Sequence, residues 1–314
     1  MMNISRYTPD RQQEWDAFVQ ESKNGTFLIE RGYMDYHSDR FADHSLMFHD
    51  DAGHLLAVMP ANIDGNELWS HQGLTYGGLI LSPHAHASDV GQMFDALKDY
   101  MQGYGISCLH YKCVPSIYHR MPSEEDEYWL WRNGASVEAC NLSAAVNLAE
   151  DTIYYRKRRR TNCNKLQRMG YTINRSAILA DFWPVLTDNL MKSYGAKPVH
   201  TFDEMQRLQM MFPDNIVCWT ISSPEGEVMG GTILYITDSV VHTQYISASE
   251  RGKQEHVMDY LLLSAVTYYK EQALHRYFDF GTSNEQGGRI LNESLIMQKE
   301  GFGGRGITYM HYKL

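Results

Sequence analysis

Several features are scarce or missing in this sequence, and each absence excludes a class of protein. Its 314 residues include only five cysteines, an odd number scattered along the chain, so we expect reduced thiols and no disulfide framework. No stretch approaches the ~20 apolar residues that a membrane span requires. The N-terminus also lacks the apolar segment of a secretory signal. Together these absences predict a cytoplasmic protein without a membrane span.

Positive charge is scarce as well. Lys and Arg number 28 against 38 Asp and Glu, which gives a formal net charge of −10. The mean field of such a chain repels polyanions, and this argues against general binding of nucleic acid or anionic membranes. The exception is a basic run from Arg156 to Arg160, within a helix predicted over Asp151–Met169. Within it, Arg156, Arg159 and Arg160 are candidate phosphate ligands, and a solvated helix face is the alternative.

Motifs for metal, nucleotide and serine-hydrolase chemistry are missing too. The fourteen histidines include His84 and His86, but Pro83 indicates a loop there and no third ligand follows at a regular spacing. Cys108 and Cys113 are predicted to be core residues, because no second pair completes a zinc set. The chain also lacks GxSxG, Walker and dinucleotide-binding glycine patterns. We therefore predict no metal site.

The composition that remains is that of a globular protein with about two domains. Hydrophobic residues make up 43% of the chain, and its length suggests domains at 1–150 and 151–314. The two halves share an order of elements: strand, two helices, a meander of three strands, a long helix, a strand, a helix and a final strand. This repetition predicts a duplicated α/β fold with mixed sheets.

Local signals indicate the elements of the second half. Thr201, with a glutamate three residues later, is a capping box at the start of a helix. The run Ser223-Pro224-Glu225-Gly226 predicts a hairpin turn. Strands are predicted at 240–247 and 276–280, with one continuous helix, 252–272, between them.

The stretch from His275 to Leu314 carries the strongest candidate for chemistry. Asp279 ends a short aromatic-rich strand, and the glycine-rich bend that follows has Asn284 and Glu285 at its tip. Loops that leave the end of a buried strand are where α/β proteins place reactive groups. The alternative is a plain strand–turn–helix–strand ending in which Asp279 is a turn residue.

This ending, YFDFGTSNEQGG followed by QKEGFGGRG, resembles the GNAT acyltransferase superfamily. The order of elements is similar to that of the tandem-GNAT branch, typified by the FemAB-type aminoacyltransferases of peptidoglycan bridge synthesis. The resemblance covers most of the second half and, in the first half, the architecture and the Gly73–Gly78 loop. It implies two tandem GNAT-like domains, each a twisted mixed sheet flanked by helices. The first would shape the acceptor side and the second would hold the donor cleft.

The resemblance also implies roles for individual residues. In GNAT-like domains two neighbouring strands part around a cleft, here the two strands predicted above, and an extended donor fills the gap. Asp279 becomes the acid/base or acceptor-orienting group, with Asn284 and Glu285 as second choices. Tyr245 is a candidate to protonate the leaving group. The alternatives are a carboxylate that caps backbone N–H groups, for Asp279, and a core tyrosine, for Tyr245.

One loop corresponds to the donor-binding loop of the family: Arg251, Gly252, Lys253 and Gln254. Ordinary members carry the pattern R-x-x-G-x-G/A there, whereas this chain has larger side chains after Lys253. Such side chains crowd a pyrophosphate. The departure favours a donor such as aminoacyl-tRNA over acyl-CoA, and a degenerate donor site is the alternative.

These expectations combine into a predicted function. The chain is expected to transfer an acyl or aminoacyl group to an amine on a cell-envelope or sugar precursor, with acyl-CoA or aminoacyl-tRNA as donor. His71 and Tyr76 are candidates for the acceptor side, and a tight turn stabilised by aromatic packing is the alternative. The alternative hypothesis for the whole chain is a non-catalytic GNAT-fold protein that binds a phosphorylated or nucleotide-linked ligand.

Overall fold

The computed structural model describes residues 2–314 and divides them into two compact units. The first consists of the described chain up to Leu142 together with Asn284–Ile290 and Thr308–Leu314, and the second of Ser143–Ser283 and Leu291–Ile307. The two domains expected on either side of residue 150 stay a prediction. The compact units differ from that division in three respects: the first boundary follows Leu142, and both Asn284–Ile290 and Thr308–Leu314 join the first unit.

The chain up to Asn147 forms short strands and four helices within its described residues. Its strands are β1 (Asn3–Arg6), β2 (Ala42–Asp43), β3 (Leu46–His49), β4 (Leu55–Met59), β5 (Asn62–Asp64), β6 (Glu67–Trp69), β7 (Ile80–Leu81), β8 (Cys108–Lys112) and β9 (Ser136–Asn147). Its helices are α1 (Gln12–Glu21), α2 (Arg31–Met34), α3 (Ala87–Tyr104) and α4 (Glu125–Arg132). Helix α3 ends at Gly105, whose φ of 68° is the left-handed cap that glycine adopts at little cost.

The remainder of the described chain forms six helices and eight strands. Its helices are α5 (Lys157–Arg168), α6 (Leu179–Tyr194), α7 (Phe202–Met211), α8 (Glu250–Glu255), α9 (Val257–Gln272) and α10 (Glu293–Glu300). Its strands are β10 (Thr172–Asn174), β11 (Ile216–Ser222), β12 (Val228–Ile236), β13 (Val240–Ala248), β14 (Tyr277–Thr282), β15 (Asn284–Glu285), β16 (Ile290–Leu291) and β17 (Arg305–Lys313). The predicted capping box at Thr201 and the hairpin turn at Pro224 are both confirmed.

The first unit is built on two sheets. One has the order β1-β3-β4-β7 and is antiparallel. In the other, the order is β17-β8-β6-β5-β2, with β6 and β8 parallel. Phe94 of α3 packs with Leu109 and Tyr111 of β8 in a fully buried core. These mixed sheets with flanking helices confirm the predicted fold class.

The second unit has one main sheet, in the order β10-β11-β12-β13-β14-β9. Its only parallel pair among the described strands is β13 with β14. Leu261 and Val266 of α9 belong to one core cluster with Trp219 and Phe278 of the sheet. The parallel pair therefore has a buried face, as the hydrophobic pattern of β14 requires.

Part of the closing strand of each half of the chain belongs to the compact unit of the other half: residues 143–147 of β9 belong to the second unit, and residues 308–313 of β17 belong to the first. Strand β17, the last of the chain, pairs with β8 through His311 and Lys112. Strand β9, the last of the first half, pairs with β14 through Val146 and Phe278. We refer to β9 and β17 as the exchanged strands. The duplicated order of elements did not predict this exchange.

Two predicted helices have different bounds in the structure. The helix expected over 252–272 is interrupted, because α8 ends at Glu255 and His256 adopts a left-handed φ of 59° before α9 begins. The basic helix expected from Asp151 begins only at Lys157. None of the helices among residues 2–314 combines the length and the apolar character that crossing a bilayer requires.

Candidate active site

Strands β13 and β14 part within the second unit, as predicted. They pair through Val240–Tyr277, Val241–Phe278 and His242–Asp279, and the recorded pairing stops there although both strands continue. Beyond this point the facing edges carry backbone groups that do not pair with each other. An extended ligand can form strand-like hydrogen bonds with such edges.

A bulge in β13 sets which side chains share a face at this opening. Against β12, Ile233 pairs with Tyr245 whereas Leu234 pairs with Thr243, so one residue of β13 is inserted between them. His242 pairs with Tyr235, and Ile233 and Tyr235 lie on one face of β12 because strand side chains alternate. His242 and Tyr245 therefore lie on that same face.

Asp279 is completely buried at the end of the paired stretch. Its carboxylate accepts hydrogen bonds from the Ser143 hydroxyl and from the Gly281 N–H, the latter at 3.2 Å. The other oxygen lies 2.8 Å from Nδ1 of His242. A carboxylate enclosed in this way does not reach a substrate itself, but it holds and orients the histidine. Asp279 was predicted to be the acid/base or acceptor-orienting group, and this role stays a prediction; its contacts suit a residue that positions His242.

His242 is the group that meets the opening, and the sequence analysis did not single it out. Its side chain is 14% exposed, whereas its partner Asp279 is 0% exposed. With Nδ1–H donated to the carboxylate, Nε2 has a lone pair and is able to accept a proton. This is the arrangement of a histidine general base with an orienting carboxylate.

Lys299 supports the same region from α10. It is buried, and its Nζ donates to the carbonyl oxygens of Gly281 and Thr282, each at 2.7 Å. Burial lowers the pKa of Lys299 to about 8, against an opposing effect of Asp279. The lysine thus fixes the backbone where β14 leaves its partner.

Tyr245 is half-buried on β13, and its hydroxyl lies 2.8 Å from Nδ1 of His200. Burial raises the pKa of Tyr245 above its ordinary value, so the phenol keeps its proton. A protonated hydroxyl with a histidine partner can donate to a leaving group, as predicted, but the same contact also fits a tyrosine anchored to the loop before α7.

Asn284 and Glu285 belong to the first compact unit, whereas Asp279 belongs to the second. The Asn284 side chain accepts a hydrogen bond from the N–H of Leu142 and donates to the carbonyl of Gly288 at 3.5 Å. Glu285 is exposed on a short hairpin. The Asn284 side chain thus stabilises a turn. The catalytic role suggested for Asn284 and Glu285 stays a prediction.

The four residues of the predicted donor loop have different environments. Arg251 is paired with acids, at 2.9 Å from Glu255 and 3.0 Å from Glu227, so it is not available to bind a phosphate alone. Gly252 packs so closely on β12 that a Cβ there would lie 2.3 Å from the carbonyl oxygen of Met229. Gln254 is exposed.

Lys253 is also paired with an acid, at 2.7 Å from Glu250, and it lines a cavity of about 370 Å³ together with Gly252, Arg156, Arg158 and Arg159. Arg159 is committed to an ion pair with the buried Asp259 and lies 4.2 Å above the Phe302 ring. Arg156 and Arg158 are exposed. The cavity is therefore cationic, because its one carboxylate is already paired, and phosphate is the ligand class that such a surface favours.

Arg160 does not join that cavity and lines a different one, of about 580 Å³, with Tyr155 and Lys270. The basic run thus divides between two surfaces. A helix with 3.6 residues per turn cannot point consecutive arginines in one direction.

His71 and Tyr76 lie inside the first unit, and both are buried. The Tyr76 hydroxyl lies 3.0 Å from Thr26 Oγ1, and its ring packs on Tyr118 with centroids 4.7 Å apart. Burial lowers the pKa of His71 to about 3, so its ring is neutral. This environment fits the tight turn packed on aromatic rings and does not fit the lining of an open groove.

Comparisons with known proteins agree with this geometry. Residues 154–286 match the family model of the acetyltransferase (GNAT) domain. Curated protein sequences gave no match. Among solved structures, the chain is similar to FemX, with a TM-score of 0.70 at 11% identity over 99% of this chain and 96% of that one.

Two further structures show the same architecture. The C-terminal domain of a putative lysylphosphatidylglycerol synthetase from Agrobacterium fabrum has a TM-score of 0.62 at 12% identity, over 98% of this chain and 92% of that one. A tandem GNAT protein from the clavulanic acid biosynthesis pathway has a TM-score of 0.54 at 11% identity, over 100% and 98% of the two chains.

The match over residues 154–286 indicates a GNAT acetyltransferase domain in the second half of the chain. The chain as a whole has the tandem fold seen in FemX and in the clavulanic acid pathway protein.

Proposed function

We propose that this chain is a cytoplasmic enzyme that transfers an acyl or aminoacyl group to an amine of a cell-envelope or sugar precursor. The observation that carries the proposal is the His242–Asp279 pair, placed where β13 and β14 stop pairing. A general base beside a gap that accepts an extended donor is what acyl transfer to an amine needs.

His242 acts first in the proposed reaction. Its Nε2 accepts a proton from the amine as the nitrogen attacks the donor carbonyl carbon and the new C–N bond forms. The C–S bond of a thioester, or the C–O bond of an ester, then breaks. Tyr245 donates its proton to the departing sulfur or oxygen, and the proton held by His242 restores the hydroxyl. Asp279 stabilises the imidazolium throughout.

The donor is proposed to be acyl-CoA or aminoacyl-tRNA, both of which carry phosphate. Arg156, Arg158 and Lys253 line the cationic cavity of the second unit and would hold that phosphate. The likeness to a putative lysylphosphatidylglycerol synthetase supports the aminoacyl donor, and the GNAT family match supports acyl-CoA. The partners proposed are therefore the precursor that supplies the amine and, with the aminoacyl donor, tRNA.

The proposed base is tested by His242→Gln and Asp279→Asn. Either change should lower kcat by roughly 10²–10⁴-fold while the thermal unfolding transition is retained, because proton transfer at this site is lost or misdirected. His54→Gln, at a side chain 74% exposed on a turn, is the matched control. Turnover by His242→Gln equal to that of His54→Gln would refute the proposed base.

The donor is tested with the unmodified chain against two substrates. Acetyl-coenzyme A should raise the melting temperature if the thioester is the donor, whereas release of amino acid from charged tRNA in the presence of a muropeptide precursor identifies the ester. Arg156→Ala and Arg158→Ala should weaken binding of the donor that is turned over. Arg168 is exposed near the end of α5, and Arg168→Ala should leave this binding unchanged. A chain that binds phosphate-bearing ligands and turns over neither donor would instead be the non-catalytic binding protein.

A further inference from the structure

A second cluster of reactive side chains lies in the first unit, on the parallel strands β6 and β8. Glu67 pairs with Cys108 across the two strands, and His110 follows Cys108 by two residues on the same face. One ligand atom from each residue lies within 4.8 Å of the other two. A thiol, an imidazole and a carboxylate are thereby gathered by tertiary structure, not by a sequence motif.

The distances match those around a single metal ion. Nε2 of His110 lies 3.4 Å from Sγ of Cys108 and 3.2 Å from Oε2 of Glu67. Tetrahedral zinc with bonds of about 2.3 Å to sulfur and about 2.0 Å to nitrogen and oxygen places N and S about 3.6 Å apart, and N and O about 3.3 Å apart. Both observed distances are within a few tenths of an ångström of these values, and all three ligand atoms lie within 4.8 Å of one another, so one ion is able to contact all three.

The residues around His110 hold its ring in an orientation that suits metal binding. Both carboxylate oxygens of Glu138 lie 2.9 Å from Nδ1, and the Trp69 ring is stacked on the imidazole with centroids 3.6 Å apart and planes 5° apart. Donation of Nδ1–H to Glu138 leaves the lone pair of Nε2 directed at Cys108 and Glu67. A carboxylate behind a ligating histidine is the usual outer partner in zinc sites.

Burial and charge also suit a cation. Cys108 and His110 are buried, whereas the Glu67 side chain is 38% exposed and leaves a route from solvent. Lys313 lies 4.0 Å from the other oxygen of Glu67, so Oε2 remains the ligand. With the thiol ionised, the three ligands and Glu138 carry more negative charge than Lys313 offsets, and a divalent ion would neutralise the excess.

We propose that Glu67, Cys108 and His110 bind one zinc-like divalent ion, with Glu138 as the outer partner of His110. The ion ties β6 to β8 and, through Glu138, to β9. This site is independent of the transferase proposal, because its residues belong to the first compact unit and the His242–Asp279 pair belongs to the second. It also revises the expectation that Cys108 is only a core residue.

The test uses the full chain, stripped of metal and titrated with Co²⁺. We expect one equivalent to produce sulfur-to-cobalt charge-transfer absorption, and Zn²⁺ to displace it and raise the melting temperature. Cys108→Ser should abolish the absorption, Glu67→Gln should weaken binding, and Glu138→Gln should weaken it by roughly 10–100-fold. The exposed Cys140, changed to serine, is the matched control and should leave the absorption unchanged.

Two outcomes would overturn the proposal. One is the absence of charge-transfer absorption in the unmodified chain, and the other is its persistence in Cys108→Ser. If Cys108→Ser does not fold, Glu67→Gln decides the matter, since Glu67 is partly exposed and tolerates substitution. An unchanged Co²⁺ affinity in Glu67→Gln together with Glu138→Gln would mean that the cluster is a hydrogen-bonded histidine only.

Discussion

Asp126 shows how a single buried residue makes the stability of the fold depend on pH. It is buried in the first unit, where its carboxyl accepts a hydrogen bond of 2.7 Å from the Tyr111 hydroxyl. Burial raises the pKa of Asp126 from 3.8 to about 7. The folded state therefore keeps a proton that the unfolded state releases between about pH 4 and pH 7. The contribution of this group to stability is fully present below pH 4 and is lost as the pH rises through 7.

Asp126→Asn should remove that dependence. The free energy of unfolding of the variant, relative to that of the unmodified chain, is expected to increase between pH 4 and pH 8 by up to about 4 kcal/mol, since one pKa unit corresponds to about 1.36 kcal/mol. Urea titrations across this range measure the difference. Asp95→Asn, at an exposed position of α3, should give a flat profile. The same flat profile for Asp126→Asn would contradict the prediction.

The two members of the proposed catalytic pair were not equally predictable from sequence. Asp279 ends an aromatic strand before a glycine, and that pattern alone marks it. His242 is 37 residues away and is one of fourteen histidines. Only the parallel register of β13 and β14 brings the two together, and register is a tertiary property. Cys108 and Glu67 were missed for the same reason.

Close packing of an element explains why α8 contains a glycine. A Cβ at Gly252 would lie 2.3 Å from the carbonyl oxygen of Met229, which is backbone and cannot rotate away. Gly252→Ala should therefore destabilise the chain by roughly 1–3 kcal/mol, as overpacking usually does. Gly103→Ala in α3 has nothing within 4 Å of its Cβ and should stabilise by roughly 0.5–1 kcal/mol. Chemical denaturation of both variants measures the two effects, and equal signs would contradict the packing argument.

The break between α8 and α9 predicts opposite effects of glycine at two nearby positions. His256 has a left-handed φ of 59°, which costs a non-glycine residue about 1–2 kcal/mol. His256→Gly should thus raise the free energy of unfolding by up to about 1 kcal/mol, net of its contact with Arg158. Gln254→Gly, two residues earlier inside α8, should lower it by about 1 kcal/mol. A loss of stability in both variants would show that the left-handed residue is not strained.

The break itself could not be predicted from local sequence. Residues 252–272 have good helix formers and an apolar periodicity, so one helix was expected. The interruption lies at His256, whose left-handed φ of 59° no local signal in the sequence indicates. By contrast, the capping box at Thr201 and the hairpin at Pro224 depend on neighbours in sequence, and both were predicted correctly.

At the scale of the whole molecule, the exchanged strand β17 is expected to stabilise the first unit by pairing with the edge of β8. The N–H groups of Leu109 and Cys113 donate to the carbonyl oxygens of Leu314 and Met310, at 2.8 and 3.0 Å. A chain ending at residue 307 should lose hydrogen-exchange protection at those two amides first. Tyr309→Phe is the control, because it removes one buried hydroxyl contact with Tyr118 but keeps the strand. Retained protection in the shortened chain would show that β8 does not need its partner.

The duplication of elements was visible in the sequence, but the composition of the compact units was not. Both halves end in a strand, β9 or β17. The sequence of each strand is compatible with pairing inside its own half or with the other half. The contacts that decide between these options join residues 110 and 313, or 147 and 277, and no local signal spans such separations. Pairing between strands that are distant in sequence is the part of the fold that a single sequence predicts least well.

The position of β17 also affects how the protein is made. A ribosome adds about 5–20 residues per second, so on the order of ten to thirty seconds pass between synthesis of Leu142 and synthesis of Leu314. During that interval the nascent first unit has an open edge at β8, which is a template for pairing with other chains. The edge of β8 is therefore covered only after most of the second unit has been synthesised, although β8 itself emerges early.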